Sequence, residues 1–286
     1  PDVPSTEAAR ADWKLLQDGT RVRKLPFTGS YQLAPHRDYF KFAVAFLWDG
    51  QDKAALPYLH ELVRRGSDNA RIPRLIGQIY LQSGKLDDAE QYIRKSLEMN
   101  PSYADAWSEL GSVFEARKNV PQALVCYEKA LALQPGLTYA QVNAAHAAEL
   151  TGDNEKAERY YRDALKSDPK NADAANGLGL MLAKQAHFDE AKQLFQQAIE
   201  DRPDFASAIN NLGVLYLNTG KADDAVAAFE YGLKVAPDED ILYLNLGRVY
   251  ARQGKMDRAR EVMQRLLARK PGNTVAERAL RELENR

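Results

Sequence analysis

The 286-residue chain has a single cysteine, Cys126. No disulfide can form within it, and no multi-cysteine zinc or iron–sulfur site can be assembled. A long apolar run is also missing. The longest, from Phe42 to Trp48, falls far short of a membrane span. There is no excess of basic charge either: 39 Lys and Arg face 40 Asp and Glu, for a formal charge of −1. That balance argues against a nucleic-acid ligand, because neutralising phosphates takes a clear cationic surplus. Catalytic patterns are absent as well. His36, His60, His146 and His187 are widely separated and show no metal-type i, i+4 pairing. Gly177-Leu178-Gly179 lacks the third glycine of a dinucleotide loop and falls inside an expected helix. No Walker, EF-hand or G-x-S-x-G pattern occurs. The chain is expected to be non-enzymatic and to need no cofactor or metal, with Cys126 acting as a small buried hydrophobe. Pro1 in place of Met marks a processed or excised chain, which leaves the compartment open.

What is there is a period. Prolines recur at Pro101, Pro135, Pro169, Pro203, Pro237 and Pro271, each 34 residues after the last. Alanines keep the same step at Ala55, Ala89, Ala123, Ala157, Ala191, Ala225 and Ala259. One glycine series runs through Gly77, Gly111, Gly179, Gly213 and Gly247, and another through Gly50, Gly84, Gly152, Gly220 and Gly254. Such self-similarity is the mark of a repeat architecture. The frames are 36–69, 70–103, 104–137, 138–171, 172–205, 206–239 and 240–273.

Each frame reads as two helices. In frame 206–239, Ile209, Leu212, Tyr216 and Leu217 stand at helical spacing before Gly220 breaks the pattern. Ala225, Val226, Phe229 and Leu233 form a second stripe, which Pro237 ends. Gly213 and Ala225 are expected to be small because the two helices cross closely there. The turn glycines are expected to take positive φ, and the prolines to separate one hairpin from the next. Acidic pairs such as Asp87-Asp88, Asp189-Glu190 and Asp223-Asp224 open the second helices, where they suit the helix dipole and end-capping. After the last frame, Thr274 and Glu277 suggest a capping box, and Val275, Ala279, Leu280 and Leu283 an apolar stripe, so 274–286 reads as a capping helix. Before the first, residues 5–17 read as an amphipathic helix and 18–35 as an irregular segment. Residues 1–35 are then either a linker and cap or a tail that docks in a groove.

These residues resemble the tetratricopeptide-repeat (TPR) family. The frame carrying Trp107, Leu110, Gly111, Phe114, Ala123, Tyr127, Ala130 and Pro135 matches its pattern most fully. The first unit departs at Ala43 and Ser67, the fourth at Gln141, Ala144, Ala145 and Ala148. The resemblance implies an all-α fold, a right-handed superhelix of helix pairs forming one continuous solenoid domain. It also implies a concave groove lined by the first helix of each pair. The family's groove positions map onto Asn143, Asn176, Asn210, Asn211 and Asn245. Asn143, Asn211 and Asn245 hold the position where the related repeats of O-GlcNAc transferase carry an asparagine ladder. Amides offer a donor and an acceptor together and could read a peptide backbone; the alternative, that they only support packing, is equally open. Arg74 near the start of the groove and Arg248 and Arg252 near its end are further candidates, as is His146 among alanines. No unit pairs lysine at its fifth position with asparagine at its ninth, so an acidic chaperone tail is disfavoured.

The leading expectation is a scaffold that binds an extended segment of a protein or peptide partner in this groove. The rivals are an accessory module of a larger, possibly enzymatic, protein and a homo-oligomer assembled through residues 1–35.

Overall fold

The computed structural model describes residues 36–284, in which fifteen α-helices and no strand occur. The expected helix at 5–17 and the segment 18–35 lie outside the described residues. The described residues group into two compact units that divide between Arg117 and Lys118, where the sequence reading treats the repeats as one continuous domain. A repeat touches only its neighbours, so nothing resembling a single shared core is required of the array.

The first unit holds α1 (His36–Trp48), α2 (Asp52–Arg64), α3 (Arg71–Gln82), α4 (Leu86–Met99) and α5 (Ala104–Ala116). The second begins with α6 (Val120–Leu133). Four hairpins follow: α7 (Thr138–Leu150) with α8 (Asn154–Ser167), and α9 (Ala172–Lys184) with α10 (Phe188–Asp201). After these come α11 (Ala206–Asn218) with α12 (Ala222–Val235), and α13 (Asp240–Arg252) with α14 (Met256–Arg269). The unit closes with α15 (Thr274–Glu284). Within each unit every helix packs on the next, and the first helices of neighbouring hairpins also touch: α3 with α5 in the first unit, and α7 with α9, α9 with α11 and α11 with α13 in the second. The second helices approach one another less, so the first-helix side is the inner side of each stack.

Glycine and alanine make the hairpins close. All seven register alanines, Ala55 to Ala259, are fully buried. A Cβ placed on Gly213 would lie 2.4 Å from the ring of Phe229, one on Gly77 2.5 Å from Ile93, and one on Gly247 2.5 Å from Met263. In each case the intruding side chain stands four residues after the register alanine. One turn of the second helix therefore presents the small residue, and the next inserts a large one into the glycine gap.

The five turn glycines Gly50, Gly84, Gly152, Gly220 and Gly254 all have positive φ. The two periods that lack one keep the same conformation: Lys118 has φ 61° and Ala186 φ 65°. The turn geometry is thus demanded by the hairpin, and at these two sites an L-residue bears the strain.

The prolines do more than break helices, because their carbonyls accept hydrogen bonds from the following repeat. Trp107 Nε1 donates to the Pro101 carbonyl at 2.8 Å, Gln141 Nε2 to Pro135 at 2.7 Å and Tyr243 Oη to Pro237 at 3.1 Å. All three donors occupy the fourth position of their frames, so Gln141 keeps the role of the signature tryptophan. Where that position is Ala175 or Ile209, the donor comes from the second helix instead: Gln197 to Pro169 at 2.5 Å and Tyr231 to Pro203 at 3.3 Å.

The C-terminal helix differs from the sequence reading in two respects. Its N-cap is Asn273, whose Oδ1 accepts from the Ala276 N–H at 3.0 Å; Thr274 already lies within the helix, so the Thr274–Glu277 capping box does not form. Val275 is 57% exposed, while Ala276 and Leu283 are buried. The apolar face is therefore rotated to Ala276, Ala279, Leu280 and Leu283. Arg260 closes the other end, donating to the Leu283 carbonyl at 3.0 Å.

Replacing Gly213 with leucine should destabilise the protein by about 1–3 kcal/mol or more, because Phe229 cannot withdraw from a fully buried site. Unchanged thermal melting would show the contact to be misplaced. Conversely, Ala186→Gly should raise stability by about 1 kcal/mol by relieving the left-handed strain. Melting curves of that variant check the sign.

Candidate functional site

The expected groove residues lie on the inner helices, but they are not one continuous row. In the second unit Asn211 Nδ2 donates to Asn176 Oδ1 at 2.9 Å, and Asn245 Nδ2 to Asn210 Oδ1 at 2.7 Å. Each bond joins the sixth position of one frame to the fifth position of the frame before. The amides are side by side, and they are directed at each other. Asn176, Asn210 and Asn211 are half-buried and Asn245 is 7% exposed. Each pair spends one donor and one acceptor on itself and keeps the remaining N–H and carbonyl capacity.

The pairing breaks where its two positions are occupied by Val142 and Gly177. A cavity of about 550 Å³ opens there, and Asn143, His146 and Asn176 line it together with the exposed Tyr139. Gly177 has no side chain because the ring of Tyr161 occupies that space, 2.4 Å from where its Cβ would be. His146 is exposed, whereas the alanines on both sides of it are fully buried. The acids at the cavity rim are neutralised from the neighbouring elements, Glu149 by Lys184 at 2.6 Å and Asp173 by Arg202 at 2.7 Å.

Arg248 and Arg252, on α13, are exposed. Arg248 reaches the Asn245 amide oxygen at 3.5 Å, which ties it to the adjoining rung. Both line a second cavity of about 420 Å³ between α13 and α15.

Arg74 belongs to the first unit and is already engaged. Its Nη1 donates to Glu109 Oε1 at 2.5 Å, with both side chains about 15% exposed, and the ring of Tyr103 lies 5.4 Å away. Arg74 and Glu109 are again a fifth and a sixth position, so a half-buried ion pair takes the register that amides take in the second unit. Arg74 Nε and Glu109 Oε2 have no partner among the described residues. Burial, with Asp105 one turn away, pushes the Glu109 carboxyl up to about 7. A group whose pKa is higher folded than unfolded stabilises the protein while protonated and loses that contribution as pH rises through the folded value. The melting temperature should therefore fall between about pH 5 and pH 7 by an amount that Glu109→Gln removes. Parallel pH–melting profiles of the two proteins would expose an error in this assignment.

Among the described residues no cluster of three or more His, Cys, Asp and Glu is placed to hold a metal ion, and no helix is long and apolar enough to cross a membrane. Cys126 is buried. The sequence reading counted Glu109 among the groove charges but did not pair it with Arg74, although the spacing matches that of the paired asparagines.

The sequence matches the family described as "Tetratricopeptide repeat" at residues 41–104, 182–231 and 210–274. Residues 92–204 match the "Cytochrome c-type biogenesis protein H TPR domain". Among curated proteins it is 28% identical over 166 residues to the chloroplastic tetratricopeptide repeat domain-containing protein PYG7 of Arabidopsis thaliana, covering 55% of this chain and 44% of that protein. It is 29% identical over 97 residues to anaphase-promoting complex subunit 3 of Schizosaccharomyces pombe, covering 34% and 15%. The chain thus spans less than half the length of these relatives. Among solved structures, the Cut9–Hcn1 hetero-tetramer of the APC/C aligns with TM-score 0.68 at 21% identity, over 84% of this chain and 48% of that one. PilF of Pseudomonas aeruginosa aligns with TM-score 0.64 at 21% identity, over 76% and 97%. The 34-residue period, the glycine-gap hairpins and these matches together make the chain a member of the tetratricopeptide-repeat family, an all-α TPR solenoid.

Proposed function

We propose that the protein is a non-catalytic scaffold whose second unit binds an extended polypeptide along the inner helices, through the partner's main chain. The family is one of protein–protein interaction modules, and this reading names the surface. The observation that carries it is the set of paired amides Asn176, Asn210, Asn211 and Asn245. Their mutual bonds hold them in place, while the uncommitted N–H and carbonyl groups match a peptide unit's own donor and acceptor. Asn143 and His146 extend the surface into the adjoining cavity, which would take a partner side chain. Arg248 and Arg252 favour an acidic end at the last repeat. Arg74, in the first unit and paired with Glu109, supports the fold there and is left out of the contact surface. The sequence resemblance of Asn143, Asn211 and Asn245 to the asparagine register of O-GlcNAc-transferase-type repeats supports this reading. Assembly through residues 1–35 concerns residues outside those described and has no observation in its favour.

A pull-down with the intact chain supplies a partner, and calorimetric titration then tests the surface. Replacing Asn210, Asn211 and Asn245 together with alanine should weaken binding by about tenfold or more, at about 0.5–1.5 kcal/mol per lost bond. The helical circular dichroism should be retained. Asp87→Ala with Asp88→Ala, on the second-helix side of the first unit, should leave affinity unchanged. Full affinity in the triple variant would make the amides packing residues alone.

A further inference from the structure

The fifth-to-sixth register that links neighbouring repeats is filled by amides twice in the second unit, and on either side of those two rungs it is empty of polar atoms. At one side the pair is Val142 and Gly177. At the other it is Leu244 on α13 and Ala279 on α15, the equivalent position in the helix that follows the last frame. Both gaps are cavities. A missing rung leaves an aliphatic floor and a small wall in place of two amides.

The two hollows differ in charge. The acids of the Val142–Gly177 cavity are neutralised by Lys184 and Arg202. The Leu244–Ala279 cavity is lined by three arginines, Arg248, Arg252 and Arg278, against one acid, Glu282. All three arginines are exposed. Arg252 and Arg278 make no ion pair or hydrogen bond among the described residues, and Arg248 has only its long contact to Asn245. Its floor is apolar, from Leu244, Met263 and Leu283, and the exposed Val275 stands at its edge. Arginines arranged around an aliphatic hollow, with their guanidinium groups in water, meet the requirement for charge-assisted recognition of carboxylates beside an apolar anchor.

We propose that the hollow between α13 and α15 is a specificity pocket for an acidic polypeptide segment, seating one aliphatic side chain on Leu244, Met263 and Leu283 while Arg248, Arg252 and Arg278 bind the Asp or Glu side chains flanking it. The C-terminal helix is then part of the binding surface as well as the seal of the last repeat. The proposal deepens the groove reading and rests on it for the direction of the ligand: the amide rungs hold main chain regardless of sequence, and the arginine hollow chooses which segment is held.

The test is selection of a random peptide library, displayed with blocked C-termini, on the intact chain. Peptides with Asp or Glu flanking Leu, Ile, Val or Met should be enriched. A selected peptide should bind Arg252→Glu/Arg278→Glu at least about tenfold more weakly, and Arg252→Lys/Arg278→Lys with much smaller loss. Both residues are exposed and, among the described residues, without hydrogen-bond or ion-pair partners, so the variants should keep the native helical signal and melting. Absence of an acidic–aliphatic class, or equal affinity for the Glu variant, overturns the pocket. The Asn210/Asn211/Asn245 alanine variant separates the two readings. If it keeps full affinity while the Glu variant loses it, the hollow stands and the main-chain reading falls.

Discussion

Everything in this protein depends on how closely the two helices of a hairpin approach. A glycine on the first helix leaves a gap, a register alanine on the second permits contact, and a large side chain one turn later fills the gap. Phe229 against Gly213, Ile93 against Gly77 and Met263 against Gly247 are three versions of one joint. The filler can be aromatic, branched or flexible because its partner is an absence; the glycine and the alanine cannot vary in the same way. Tight packing explains the asymmetry, since interiors tolerate exchange of shape at constant volume far better than added atoms. With the hairpin closed, the turn that joins its helices must enter the left-handed region whether or not glycine stands there, as Lys118 and Ala186 show.

Once hairpins exist, they must be held to their neighbours, and here the polar groups divide the work. Proline carbonyls are tied by a donor from either the fourth position of the first helix or the second helix of the next repeat. On the inner side, the fifth and sixth positions form a rung. The rung is an ion pair at Arg74 and Glu109 in the first unit and an amide pair twice in the second. The chemistry is different and the cost is different: burying Arg74 with Glu109 leaves two polar atoms without a partner among the described residues and a carboxyl pushed toward neutrality, whereas the amides pair without charge. An ion pair closed on itself has little left for a ligand. An amide pair retains donor and acceptor capacity beyond its own bond.

The fold was legible because its determinants repeat. Glycine, alanine and proline series that keep step over the chain encode backbone requirements directly, and the helices fall where those series place them. The candidate site was legible only in part. The asparagines could be assigned to the inner helices, but their pairing with one another depends on a 35-residue offset between frames, one more than the period, which a search for constant positions passes over. The same offset hid Glu109 as the partner of Arg74. The cap of α15 was misread because Thr274 with Glu277 mimics a capping box, while Asn273 one residue earlier supplies the oxygen. That shift of one residue also moved the apolar face and put Val275 in water.

A rung serves the stack where it forms, and where it is missing in the second unit the surface changes. Val142 with Gly177 and Leu244 with Ala279 carry no inter-repeat hydrogen bond, and a cavity opens at each. Gly177 is compensated from behind by Tyr161, which keeps the hairpin closed while the groove surface recedes. Ala279 sits on a helix already sealed by Arg260 and Leu283 and lines the hollow beside Leu244. In both cases the stack is repaired by other contacts and the surface is left open. The second unit therefore combines two tasks on its first-helix side: rungs that fix the spacing of the inner helices, and gaps on either side of them that expose apolar floor. A sequence-blind main-chain contact and a side-chain pocket need these two kinds of surface next to each other. An array built from one 34-residue unit can provide both by changing two side chains per repeat.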